Sequence, residues 1–507
     1  MDVCEQTETV QFLERLLGAY SSVEKIATHA SLIFLTPKKA YKLKRAVLFP
    51  YLDYSTPQRR HAACLSEFTL NRRTAPDLYI GVHTITREAD GELVLDGTGQ
   101  LVDAVVEMHR FDQDLLFDRM AQHGSLTPAI VSDLAGRIVA FHQGAPHSLD
   151  RGGAEGIARV LEINERALLA TRFVGDEIAA PYSEKFQRAL RHHWQRLEAR
   201  RQSGKVRRCH GDLTLRNICL LQGAPTLFDC IEFDEDLATI DVLYDLAFLL
   251  MDLWHRDQRE LANILLNRYL DASDETDGLS LVPFFMAIRA AVRAHVMAAQ
   301  VEETRSDAAI GILAEARQYF ELAQSLLEPA PPILLTVGGF SGTGKSTVAS
   351  LLAPHIGAAP GARVLNSDRV RKQIHGVPAE THLSASAYGP DVSDQVYAAL
   401  GLQAARTLES GSSVVVDAVF DRPGERERIE RIAAEKKVPF RGYWLHAPED
   451  LLISRVIARQ HDPSDATAEV VRMQVTRACG QIDWVHLDAS RPAYAIRDEI
   501  LSSRPAR

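Results

Sequence analysis

The chain has 507 residues, 46% of them hydrophobic and 24% charged, with a net charge of −10 at pH 7. That composition is ordinary for a globular protein but too long for one core, so two or three domains are expected. The acidic balance excludes a whole-protein basic field for nucleic acid or for an anionic membrane. Six cysteines, at 4, 64, 209, 219, 230 and 479, form no C-x-x-C pair and no metal-type spacing. So few thiols fit a reducing cytoplasm. The first residues, Met-Asp-Val-Cys-Glu-Gln, are acidic and lack the charged-then-apolar pattern of a secretory leader, so a cytoplasmic location is expected.

The first part opens with strand-like alternation at 31–35, 40–47, 79–86, 92–95 and 101–108, broken by a helix-like block at 57–74. Beyond residue 112 the pattern is helical almost throughout, except around 206–233. A small β-rich lobe (about 1–110) followed by an α-rich lobe (about 111–328) is an α+β reading. The most apolar stretches, 242–254 and 283–299, carry Asp245, Asp252, Arg289 and Arg293. They are too short or too charged to span a bilayer and are expected as buried helices.

Inside the 206–233 exception lies His210-Gly-Asp-Leu-Thr-Leu-Arg-Asn217, followed by Thr226-Leu-Phe and Asp229. Phosphoryl transfer from ATP needs a carboxylate to orient or deprotonate an acceptor hydroxyl, and oxygen ligands for Mg²⁺. Asp212 suits the first role; Asn217 and Asp229 suit the second. This part of the chain, about 25–325, resembles the aminoglycoside phosphotransferase-like branch of the protein-kinase-like fold. The resemblance implies that Lys42, in the strand-like Ala40-Tyr-Lys-Leu-Lys-Arg45, holds the α/β-phosphates, with Lys44 the rival on the same strand face. It implies that Glu67 pairs with that lysine, that 107–109 form the inter-lobe hinge, and that Asp212 is the catalytic base. Asp245 is read as structural, a buried carboxylate that must find donors in the catalytic loop. Two features depart from the family. No G-x-G-x-x-G precedes Lys42, where 28–32 would cover the phosphates, and 233–237 is unusually acidic.

Pro329, Pro331 and Pro332 make a stiff spacer at 329–332. The division expected is therefore 1–328 and 333–507. The second part alternates strands (333–337, 362–367, 413–417, 440–446, 484–487) with helices, a doubly wound parallel α/β sheet. Directly after its first strand, residues 339–347 read Gly-Phe-Ser-Gly-Thr-Gly-Lys-Ser-Thr. Gly339, Gly342 and Gly344 let consecutive backbone N–H groups of Ser341, Thr343 and their neighbours turn inward as an anion cradle. Lys345 can then reach the β/γ-phosphates of ATP and the Ser346 hydroxyl can ligate Mg²⁺, with Thr347 continuing the helix whose dipole is expected to face the same phosphates.

Asp368 ends the second strand, where such sheets open into the ligand crevice, and is placed to face an acceptor. Arg371, one turn later, could hold a phosphate; Asp417 closes an apolar strand at a Walker-B-like metal position. Arg455 and Arg459 share a helix face and could stabilise transition-state charge. This half resembles P-loop kinases that phosphorylate hydroxyls: gluconate-kinase-like, zeta-toxin-like and polynucleotide-5′-kinase-like proteins. The expectation is a phosphotransferase with two ATP and Mg²⁺ sites acting on small-molecule hydroxyl acceptors, without a membrane partner. Two other readings stay open: an N-terminal nucleotide sensor or scaffold, and a nucleic-acid 5′-end kinase, the latter disfavoured by the lack of a basic stripe.

Overall fold

A computed structural model describes residues 6–19, 22–49, 52–171, 174–303, 308–459 and 463–503. They form two compact units: 1–166 with 190–252, and 167–189 with 253–507. These units do not divide at the proline spacer, because the helices of 253–325 group with the C-terminal sheet.

The first unit is built on a six-stranded antiparallel sheet in the order Glu24–Ala27, Ser31–Leu35, Lys39–Lys44, Gln100–His109, Tyr79–Arg87, Leu93–Leu95. The Glu24–Ala27 strand and the helix Thr7–Gly18 that precedes it lie outside the elements expected from the sequence, although the helix is amphipathic. The helix Pro57–Asn71 packs on this sheet. It starts where it does because Pro57 is preset for the first turn and Thr56 caps it, Oγ1 accepting from the Arg59 N–H. Arg60, Cys64, Glu67 and Asn71 recur at helical spacing and form its buried face. Thus Glu67 is carried to the sheet fully buried. Farther along, a short hairpin, Ile218–Leu221 with Ala224–Leu227, follows the His210–Asn217 motif.

The second unit contains a five-stranded, all-parallel sheet in the order Arg363–Asn366, Val414–Asp417, Leu334–Gly339, Phe440–His446, Val485–Asp488. Its central strands are apolar on both faces, as parallel strands covered by helices require. Leu334, Val414 and Val416 join one core, while Leu335, Val337 and Val415 join the other. Residues 276–301 are long and apolar enough to cross a bilayer by length and composition, yet 72% of their most apolar 18-residue stretch is buried.

The edge strand Arg363–Asn366 is covered by the helix Arg259–Ala272. Asn263, Asn267 and Asp271 stand at i, i+4 and i+8 on one helix face. Asn263 Nδ2 donates to the Pro360 and Ala362 carbonyls, both at 3.0 Å. Asn267 Oδ1 accepts from the Val364 N–H at 2.7 Å, and Asp271 pairs with Arg363 at 2.7 Å. Side chains thus supply the partners a further strand would have given. Asn267→Ala is expected to destabilise the full chain by about 1–3 kcal/mol, because it orphans the Val364 N–H and the Arg363 guanidinium contact. Urea denaturation checks this; a midpoint equal to that of the wild type would refute it.

Candidate active sites

In the first unit, Lys42 Nζ donates to Glu67 Oε1 at 2.9 Å and also reaches Asp229. Lys44, two residues on, reaches the other oxygen of Glu67 and Glu232. The two lysines share one carboxylate, but only Lys42 also contacts Asp229. Burial opposes the Lys42 charge, and Asp229 and Glu67 more than offset it, holding the ammonium above its ordinary range. Burial likewise works to raise Asp229, and the adjacent Lys42 charge outweighs it and holds that carboxyl low. The Asp229 backbone is left-handed, φ 61°, with its N–H on the Tyr79 hydroxyl at 3.3 Å.

Asp212 and Asn217 are brought together: Asn217 Nδ2 donates to the Asp212 carboxylate at 2.8 Å and to its carbonyl at 2.9 Å. The loop that carries them hangs on buried carboxylates of the helix Val242–His255. Asp245 accepts from the N–H groups of His210 (3.2 Å) and Gly211 (2.8 Å), and Asp252 accepts from that of Leu215 (3.0 Å). Asp245 therefore does find donors in the loop of the His210–Asn217 motif. At the expected hinge, Glu107 is buried and accepts from Lys39 (2.6 Å) and Tyr41 (2.9 Å). Where the glycine loop is missing, the strands at 24–27 and 31–35 join in a tight turn closed by Thr28 N–H to the Ser31 carbonyl, 2.8 Å. The acidic stretch at 233–237 is not a bare wall. Asp234 caps the helix Glu235–Ala238, Asp236 pairs with Arg151 and Arg159, and Glu235 with Arg208.

In the second unit, the loop after Leu334–Gly339 runs into the helix Lys345–Leu352. Gly342 and Gly344 have φ of 88° and 83°, and a Cβ on Gly342 would lie 2.5 Å from the Leu452 carbonyl. A side chain is therefore excluded at Gly342, and at Gly344 it would be strained by the left-handed backbone. Residues 341–347 line a cleft of about 1100 Å³ that also takes in Asp368, Arg371, Asp417, Arg455 and Arg459. Asn366 Nδ2 donates to Ser346 Oγ (3.2 Å) and Asp417 Oδ2 (2.5 Å), which places the hydroxyl and the carboxylate about one amide. Burial pushes Asp368 above the usual carboxylate range; Ser464 opposes this and the Asp417 charge adds to it.

The arginines are held by protein groups. Arg371 is buried, donates to the Ala387 carbonyl at 2.7 Å and lies over the Tyr388 ring. Arg455 donates to the Ala489 carbonyl at 2.8 Å. Sequence reasoning missed Asp465, on the same cleft. It accepts from the Tyr388 hydroxyl (2.5 Å), His382 Nδ1 (2.8 Å) and the Leu383 N–H (3.0 Å), and pairs with buried Lys372. No local motif marks it; its partners lie more than 70 residues away.

Residues 79–279 match the model of the phosphotransferase enzyme family, and residues 334–479 match a model described as an AAA domain. An uncharacterized protein of Mycobacterium tuberculosis is 29% identical over 466 residues, covering 90% of each chain. The adenylyl-sulfate kinase of Myxococcus xanthus is 28% identical over 123 residues, 24% of this chain and 62% of that one. Among solved structures, a choline/ethanolamine kinase family protein from Mesorhizobium loti aligns over 64% of this chain and 95% of its own, at 12% identity and a TM-score of 0.40. A gluconokinase from Sinorhizobium meliloti aligns over 34% and 90%, at 24% identity and a TM-score of 0.24. The chain joins two kinase-type regions in tandem: an aminoglycoside phosphotransferase-like region of kinase fold, followed by a P-loop kinase region with a parallel α/β sheet.

Proposed function

We propose that each region transfers the γ-phosphoryl group of ATP to a hydroxyl of a small-molecule acceptor, in the cytoplasm. The observation that carries this is the single cleft holding Lys345, Ser346, Asp368 and Asp417 together. Asp368 takes the acceptor proton as the acceptor oxygen bonds to the γ-phosphorus. The bond from that phosphorus to the β-phosphate oxygen breaks, and ADP leaves. Lys345, Arg455 and Arg459 offset the charge on the transferring oxygens. Ser346 and Asp417 are oxygen donors of the kind Mg²⁺ prefers; the ion would supply further positive charge to the phosphates. In the first unit, Asp212 takes the proton, Lys42 holds the phosphates, and Asn217 and Asp229 hold the metal. The free state of the described cysteines, most of them buried, supports the cytoplasmic reading.

A transfer screen with γ-labelled ATP over sugars, aminoglycosides, nucleosides and oligonucleotides tests the reading. No transfer to any hydroxyl compound would sink it; transfer confined to oligonucleotides would establish the end-kinase reading.

The raised Asp368 also fixes a pH dependence. A general base works deprotonated, so activity of the P-loop site should fall on acidification through the raised value, above the ordinary aspartate value of about 3.9. Asp368→Asn should cut turnover by about 10²–10⁴-fold and abolish that acid limb. An unchanged limb in the variant would assign the base elsewhere.

A further inference from the structure

The cover of the edge strand carries charge that the fold does not fully use. Three arginines from three elements converge on Asp271, near the end of the helix Arg259–Ala272. They are Arg268 one turn earlier, Arg363 on the edge strand, and Arg369 in the helix Ser367–Ile374. Arg369 directly follows Asp368, yet none of the three lines the P-loop cleft. Asp271 Oδ1 pairs with Arg363 Nη2 at 2.7 Å, and Oδ2 accepts from Arg268 Nη1 at 2.6 Å. Burial works to raise the Asp271 carboxyl; Arg363, Arg268 and Arg369 outweigh it and hold the group low.

The three arginines are not equally engaged. Arg363 is buried and also donates to the carbonyl and the side-chain oxygen of Asn267, both at 3.1 Å, so it belongs to the strand cover. Arg268 makes one side-chain hydrogen bond among the described residues, the one to Asp271, and its side chain is 19% exposed. The Arg369 guanidinium makes none there. It faces Asp271 Oδ2 at 3.6 Å and Glu380 Oε1 at 3.8 Å, both beyond hydrogen-bond distance, and its side chain is 23% exposed. Two guanidinium groups thus sit against one oxygen with donors left over and open to solvent.

The balance of charge says what they would take. Burial pulls the Arg268 guanidinium down to about 10, against the pull of Asp271 and with the Arg369 and Arg363 charges adding to the fall. Three positive charges face two negative ones, and the looser of these, Glu380, is 55% exposed with no hydrogen bond to hold it. When Glu380 turns to solvent, the excess is two positive charges. A phosphoryl dianion offsets that excess; a single carboxylate does not.

We propose that Arg268 and Arg369, framed by Arg363 and Asp271, bind a phosphoryl oxyanion, either free phosphate or the phosphate of a small monoester, at a site apart from the P-loop cleft. Glu380 is the group it displaces. Arginine forks suit the several oxygens of such an anion and donate charge-assisted bonds to them. The site does not depend on the transfer reading of the cleft.

The test is titration calorimetry on the full chain saturated with ADP and Mg²⁺, so that the nucleotide sites are filled. The probes are inorganic phosphate, glycerol 3-phosphate and acetate. Phosphate or its ester should bind more tightly than acetate, and whichever of the two is tighter identifies the free ion or the ester as the ligand. Arg369→Gln should weaken that binding about ten- to a hundredfold. Glu380→Gln should tighten it about two- to fivefold. ADP affinity should be unchanged in both. Binding of neither phosphate probe, acetate binding as tightly as they do, or wild-type binding in Arg369→Gln would overturn the proposal. So would binding that Lys345→Ala removes and Arg369→Gln keeps, since that belongs to the P-loop cradle. Should the Arg369 variant melt early, Glu380→Gln decides: unchanged or weaker binding there refutes the site.

Discussion

Lys345→Ala is expected to remove one of two ATP sites from the full chain. Binding of a fluorescent ATP analogue should fall from about two equivalents to about one, and transfer at the P-loop site should drop by about 10²–10³-fold. The reason is local. The loop backbone is already set by Gly342 and Gly344 in left-handed conformations, and the helix begins at residue 345 whatever side chain stands there. Removing the ammonium leaves that cradle but takes away the one side chain of the loop that carries positive charge to the β/γ-phosphates. Unchanged stoichiometry would sink the assignment of the loop. The full chain is the right material. Asn263, Asn267 and Asp271 cover the edge strand, so a fragment starting near residue 329 would expose unpaired strand groups and the Arg363 guanidinium.

What was legible followed from contiguity. The glycine loop, the Asp212–Asn217 spacing and the valine-rich strands each place their chemistry or their apolar faces within a few neighbouring residues. Sheet membership was readable for the same reason, down to boundaries within one or two residues at 414–417 and 440–446. Pairing across the chain was not. Lys42 and Lys44 sit on the same strand face, two residues apart. Their difference lies in Asp229 against Glu232, nearly 190 residues on. Asp465 gathers its donors from residues 372–388, which no spacing rule connects to it. The helix Arg259–Ala272 carries Asn263, Asn267 and Asp271 in one row among other polar and charged residues, and nothing local sets that row apart. Its meaning was hidden because the strand it covers lies about a hundred residues away.

Asp212→Ala tests the other region. Transfer at that site is expected to fall by about 10³-fold, while ATP affinity stays within about threefold of the wild type. The carboxylate can be removed without collapsing its loop. The His210, Gly211 and Leu215 N–H groups are held by Asp245 and Asp252, not by Asp212. Nor does Asp212 belong to the Lys42–Glu67–Asp229 cluster that would grip the nucleotide. Loss of transfer with retained binding is therefore the signature of a base. Its acceptor profile should be the complement of the Lys345→Ala profile: compounds labelled by one single variant are those lost in the other, and the double variant labels none. If Asp212→Ala instead transfers to every acceptor at the wild-type rate while its first unit still binds ATP, that unit is a nucleotide sensor. Its kinase-like cluster would then act through binding alone.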